Sequence, residues 1–505
     1  MIDCVPKAEK SVECCYPFGY ISTYISSESL LSQSSLRVMY ATASALYIDE
    51  MGYAMSRLEI ESGLSEDGDA IQEDSSSGET KRPLKNLDNE IAQITKLKST
   101  PHQQLVQVGT GRPELPVSPV KMLAGRESNY SGRGRFSSAD RCHLLSRYLP
   151  VNGPWLIDQM SSRAYVSQFS ADGSLFIAGF QGSHIRIYNV DRGWKVQKNI
   201  LAKNLRWTIT DTSLSPDQRY LVYASMSPIV HIVNAGSAET ESLANVTEIH
   251  DGLDFSSNDD GGYSFGIFCV KFSKDGKELV AGSSGDSIYV YDLEANKLSL
   301  RILAHTVWDR RCLIAKGKPA GVLMGHLEGI TFIDTRGDGR YFISNGKDQT
   351  IKLWDIRKMS SNVTSNPGYR SYEWDYRWMD YPPQAKDLTH PCDQSVATYR
   401  GHSVLRTLIR CYFSPAFSTG QKYIYTGSHN ACVYIYDLVS GAQVATLKHH
   451  KSPVRDCSWH PFHTTLVSSS WDGDVVKWEF AGSGDTPGSS TKKRVWTRHF
   501  YEHYL

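Results

Sequence analysis

The chain has 505 residues, with 54 Lys and Arg against 54 Asp and Glu and a formal net charge of zero at pH 7. That balance, without a dominant basic face, argues against general nucleic-acid binding, which needs clustered cations to neutralise phosphates. The ten cysteines are scattered with no CxxC pair and no zinc spacing, as expected of thiols in a reducing compartment, and no apolar run is long enough to suggest a membrane span.

Residues 1–85 read as a disordered leader and acidic linker. The first part is rich in Ser and Tyr, and Asp3 and Glu9 spoil a secretory start. Met51-Gly52 is a second candidate start that formally matches an N-myristoylation pattern. From Glu59 to Lys81 the segment is acidic and rich in Ser and Gly, too poor in apolar side chains to order itself. Residues 86–148 form an N-terminal extension with two expected helices. Asn86 to Leu97 places Ile91, Ile94 and Leu97 on one face, and Ser137 to Tyr148 has a Ser cap in front and Pro150 behind. Pro, Gly and Arg dominate between them.

From residue 149 to 481 the pattern changes to short alternating runs split by Asp-Gly, Pro-Asp and Gly-Asp turns, a repeated all-β unit. A strand within Leu149 to Met160 is expected to close the ring from outside the first unit. Successive units end in HIRIYNV at Tyr188, IVHIVN at Val233 and SIYVYDL at Tyr291, with an acidic insertion at Asp251 to Gly262 before the third. The fourth is a remnant, since Tyr291 to Trp308 spans 308 − 291 = 17 residues where Tyr188 to Val233 spans 233 − 188 = 45. Leu303-Ala304-His305-Thr306 runs straight into Val307-Trp308-Asp309-Arg310-Arg311. Both ends of a repeat survive in order, as after an internal deletion.

The next unit, GHLEGITFIDTRGDGRYFISNGKDQTIKLWDIR from Gly325 to Arg357, is complete. Gly-His at its start, Trp-Asp at its end and three strands between are the signature of a WD repeat. His326, Ser344, Asp348 and Trp354 fall where that family places a hydrogen-bonded tetrad, and His450, Ser468, Asp472 and Trp478 repeat the same steps of 18, 4 and 6 residues. These side chains are expected to be structural, because a buried polar group must be paired. One unit cannot bury both faces of its sheet, so the copies stack radially as a β-propeller. Tyr188, Val233, Tyr291, Trp354, Tyr436 and Trp478 mark six intact units, and the remnant makes the parent architecture seven-bladed, with a ring designed for six blades as the competing view. A ring missing most of one blade exposes sheet edges and apolar faces.

After Trp354 comes an aromatic insertion at 360–395, with Tyr369, Tyr372, Trp374, Tyr376, Trp378 and Tyr381 among charges. It either binds a partner or packs on its own propeller. The 482–505 tail is flexible and carries the basic cluster Lys492-Lys493-Arg494, a weak nuclear signal or a solvated charge run. Nuclear or cytoplasmic placement is expected.

Two units carry a further mark, Trp354-Asp355-Ile356-Arg357 and Trp308-Asp309-Arg310-Arg311, both spelling W-D-x-R. On these boxes, and on the aromatic insertion, residues 86–480 resemble the WD-repeat substrate receptors of cullin-4 RING ubiquitin ligases, and within them a plant branch related to an embryogenesis-associated WD-repeat protein. The resemblance implies a non-catalytic receptor that docks on the ligase's damaged-DNA-binding adaptor through Trp354, Asp355, Arg357, Trp308, Asp309 and Arg311. It also implies help from an N-terminal helix such as Ser137 to Tyr148, and an unidentified substrate protein held at the channel mouth. The truncation puts Arg311 in doubt. No cofactor, metal, nucleic acid or membrane is called for, and no P-loop, nucleophile elbow or paired acid and base stands outside the repeats. The alternative is a WD-repeat scaffold for chromatin or signalling complexes with no ubiquitin role.

Overall fold

The computed structural model describes residues 89–101, 117–235, 251–256, 265–303, 323–359 and 374–480 apart from a few positions inside these ranges, and the short strands at 23–25, 38–39, 246–247 and 307–309. Six antiparallel blades follow one another around a ring, five of them four-stranded and the first carrying a short fifth strand at 246–247 paired parallel at its outer edge, making a six-bladed β-propeller. The first strands of the blades are Ala164–Phe169, Asp211–Leu214, Ile267–Phe272, Ile330–Thr335, Cys411–Phe413 and Val454–Trp459. The sixth blade takes its fourth strand from the far end of the chain, where Asn152–Gln159 pairs antiparallel with Asp474–Glu479. This clasp closes the ring.

Local chemistry explains the hairpins. In the first three blades the turn after the inner strand has a Ser two places before an Asp, and the hydroxyl donates to the carboxylate at 2.6, 2.5 and 2.6 Å (Ser170–Asp172, Ser215–Asp217, Ser273–Asp275). Each hydroxyl also accepts from the amide that opens the next strand. These local bonds satisfy the turn and fix the register of the pair.

The core lies in the seams between blades, and each pair of neighbours shares one apolar cluster. Five seams draw several buried side chains from both blades. The seam between the third and fourth is thin, with Cys269 as the third blade's buried contribution against Leu323, Ile330, Ile333, Phe342 and Trp354. That is where the sequence carries its remnant. There Val307–Asp309 pairs parallel with Thr23–Ile25, which pairs antiparallel with Val38–Met39, and the last of these lies against the inner strands of both neighbouring blades. Six full blades and a small three-stranded sheet at this seam thus make up the ring among the described residues.

Among the described residues three helices lie under the ring: α1 (Asn89–Ser99), α2 (Pro119–Glu127) and α3 (Ser138–Leu145). The side chain of Ser137 caps α3 by accepting from the Asp140 amide. Sequence reading missed α2, whose Pro119 sits at the first helical position, where its missing N–H is harmless. Buried Ile91 of α1 enters the seam between the fourth and fifth blades. The guanidinium of Arg141 on α3 stacks 3.5 Å from the ring centroid of Phe417, in α4 (Ala416–Thr419) of the fifth blade.

Candidate functional site

The site is built on the fourth blade. Trp354 ends its third strand fully buried, and the indole N–H donates to Ser344 Oγ at 2.8 Å. Ser344 Oγ lies 2.6 Å from His326 Nε2, and His326 Nδ1 is 3.0 Å from Asp348 Oδ2. Asp348 also accepts from the Leu327 amide and the Thr350 hydroxyl. A Cβ at Gly346 would collide with His326 and Asp348, so only glycine fits beneath this network. In the sixth blade His450, Ser468, Asp472 and Trp478 repeat it, with 2.8 Å from His450 Nε2 to Ser468 and 3.0 Å from the Trp478 indole nitrogen to Ser468. Both sets hold the blade's inner, middle and outer elements together, a structural role.

Burial opposes ionisation of Asp348, but the charge and hydrogen bond of His326 outweigh it, aided by Lys352 and Thr350, and hold the carboxyl at about 2. A depressed carboxyl stabilises the fold above its unfolded value and loses that contribution as pH falls through the folded value. We therefore expect Asp348 to contribute about 2 kcal/mol at neutral pH that disappears between about pH 4 and pH 2. Urea unfolding across that range should show Asp348→Asn with a shallower acid loss than the parent, and parallel slopes would contradict it.

Beyond Trp354 the chain turns in a short 3-10 helix, Ile356–Lys358, capped by Asp355, which accepts from the Arg357 amide at 3.0 Å. Asp355 is buried and also receives Arg340 at 2.8 Å and Arg357 at 3.4 Å. Arg357 keeps 57% of its side chain exposed, and its guanidinium reaches Glu90 in the first turn of α1 at 3.0 Å. Glu90 also pairs with Arg340. The box arginine therefore stands at the edge where helix and propeller meet, with half its surface open. Around it α1 is pinned by Arg336 donating to Thr95 at 2.8 Å and by Lys98 donating to Gln421 at 3.1 Å. Met122 anchors α2 on Val117, Leu144 and Phe136. Val120 (72% exposed), Leu123 and Leu97 point outward from the same helical layer.

Sequence reading placed Trp354, Asp355 and Arg357 together, and they are. It missed Glu90 and Arg340, which lie 250 residues apart and meet only through docking of α1. Trp308 and Asp309 fall on the short strand of the remnant, while Arg311 lies outside the described residues, so the second box carries no geometry. In the insertion, Tyr369 and Tyr372 also lie outside the described residues. Trp374 and Tyr381 are buried edge to face, centroids 5.0 Å apart, with Ala385 and Leu405. Tyr376 lies under the Lys347 ammonium at 3.9 Å, and its carbonyl accepts from the Arg406 amide. Only Trp378 stands out, 66% exposed. For these four the insertion mainly packs on its own propeller.

Among the described residues no three His, Cys, Asp or Glu side chains gather as a metal site requires, and no helix is long and apolar enough to cross a membrane.

The "WD domain, G-beta repeat" pattern matches residues 255–292, 317–355 and 441–479, covering the third, fourth and sixth blades. The chain is 64% identical over 471 residues to the LEC14B protein of Lithospermum erythrorhizon, covering 88% of this chain and 100% of that protein. It is 66% identical to the LEC14B homolog of Prunus armeniaca, covering 83% and 94%. A DDB1- and CUL4-associated factor 11 homolog of Caenorhabditis elegans is 35% identical over 399 residues, covering 71% of this chain and 68% of the relative.

Proposed function

The chain belongs to the LEC14B family of WD-repeat proteins, and on that premise we propose that it is a non-catalytic substrate receptor of a cullin-4 ubiquitin ligase. One observation carries the reading: the W-D-x-R box that closes the fourth blade, Trp354 to Arg357, ends in a half-exposed arginine beside a docked helical layer with outward apolar side chains. The relationship to proteins named for association with DDB1 and CUL4 supports it. The box and the helices together form one lower face, to which the damaged-DNA-binding adaptor would bind. Arginine suits that contact, since its planar fork makes several hydrogen bonds to carboxylates or carbonyls. The adaptor displaces Glu90 from Arg357 or bonds the open edge of the guanidinium. The target protein is then held on the opposite face, and the chemistry of ubiquitin transfer belongs to the ligase.

The test is capture of the purified adaptor by the tagged chain. Arg357→Ala is expected to weaken capture about tenfold or more, as loss of an interface arginine does, while changing stability by no more than about 1 kcal/mol. Capture that ignores the substitution would favour the scaffold reading.

A further inference from the structure

The face opposite the W-D-x-R box holds a cluster that the receptor reading leaves unassigned. Tyr165 lies in the inner strand of the first blade, Trp207 in the crossing from the first blade to the second, and Trp471 in a turn of the sixth. The Tyr165 ring is 5.8 Å from Trp207 edge to face and 5.8 Å from Trp471. Arg163 lays its guanidinium 4.3 Å over the Trp471 ring, and Arg455 stands 5.2 Å from the Tyr165 ring below. Trp471 neighbours Asp472, so the cluster sits at the tetrad end of the blades, away from Arg357.

Three features set the cluster apart from packing. Trp207 is 57% exposed although indoles are usually buried. Its backbone is held at φ +68°, a conformation unfavourable for a bulky residue, and such strain gathers at binding sites. The buried Trp471 Nε1 has no hydrogen-bond partner. An apolar indole platform, a cation and an orphaned donor thus share one rim.

Charge decides what fits. Among the described residues no carboxylate lies within ion-pair distance of Arg163. Asp472, beside Trp471, is held by His450, Asp474 faces His449 at 3.6 Å, and in the channel Asp211 is paired with Lys271 and Arg410 and Asp456 with Arg410. The Trp471 face that would attract a ligand cation is covered by Arg163. We infer that this rim binds an acidic, extended peptide segment of the target protein, setting a carboxylate on Arg163 and a neighbouring apolar or aromatic side chain against Trp207. The inference deepens the receptor reading by giving its substrate a chemical class. Indole and arginine also suit single-stranded nucleic acid, but that needs a track of cations along the backbone, and the chain as a whole is neutral.

The experiment selects binders to the purified full chain from a random short-peptide library, then measures the best binder by fluorescence anisotropy. Selected peptides are expected to place Asp or Glu beside Leu, Phe or Trp, and to bind more weakly at high salt. Trp207→Ala and the exposed-site change Arg163→Glu should each weaken the best binder about tenfold or more, with Arg163→Lys retaining part. Basic or uncharged selections, no selection at all, equal binding by both variants, or tighter binding of oligouridine by the same residues would overturn the inference. Adaptor capture by the two variants separates the readings. Peptide binding without adaptor capture defeats only the receptor role, and adaptor capture without variant-sensitive peptide binding defeats only this inference.

Discussion

Replacing Arg410 with methionine is expected to lower the unfolding free energy by about 3–5 kcal/mol, one of the two largest single effects in the molecule. Arg410 precedes the inner strand of the fifth blade and is buried within the ring. One guanidinium nitrogen donates to the Thr210 carbonyl at 2.8 Å and Asp211 at 3.0 Å in the second blade, and the other to Asp456 at 3.3 Å in the sixth. Lys271 of the third blade reaches Asp211 at 2.9 Å. Four blades are thus tied through two cations and two carboxylates. Burial opposes the charge on Asp211, but Lys271 and Arg410 overcome it and hold the carboxyl at about 2. Removing the arginine leaves buried Asp456 without its ion-pair partner and Asp211 with Lys271 alone, and an unpaired buried charge is far costlier than the pair is worth. Urea titration checks this. Adding Asp456→Asn to the Arg410→Met chain should recover part of the loss, and an equal or greater loss in the double variant would show that the damage is steric.

Trp354→Ala should cost about 3–5 kcal/mol, by loss of apolar transfer energy plus the cavity left behind. Its consequence is more than local. Trp354 supplies the largest side chain of the thin seam between the third and fourth blades, where Cys269 is the opposing buried residue. Trp354→Phe keeps most of the packing but deprives Ser344 of the indole donor, and is expected to cost about 1–3 kcal/mol. Hydrogen exchange gives a sharper reading than the melt. Amides of Ile267–Phe272 and Ile330–Thr335 should lose protection in Trp354→Ala before those of Cys411–Phe413 and Val454–Trp459 do. Uniform loss around the ring would mean the seam is no weaker than the others.

Periodicity, turn chemistry and the spacing of His326, Ser344, Asp348 and Trp354 were enough to give the repeat, the propeller and the role of both tetrads. Each of those features is local, with all four partners inside one hairpin unit, so sequence distance maps onto spatial distance. The W-D-x-R box was legible for the same reason, since Asp355 caps the turn that carries Arg357. The closing strand within Leu149 to Met160 was legible too, but the contacts that ring closure creates were not. Glu90 meets Arg357 and Arg340 only because Ile91 finds the seam between two blades. The fate of the aromatic insertion depended on whether Leu405 and Lys347 offered it a surface, and they did. Arg163, Tyr165, Trp207 and Trp471 come from three blades and have no common spacing, and only the circular arrangement brings the last blade against the first. The sequence by itself thus determined what each blade is, because strand pairing and tetrads are short-range. Tertiary structure decided which surfaces the blades present together, because burial across seams and charge across the channel exist only once the ring is closed.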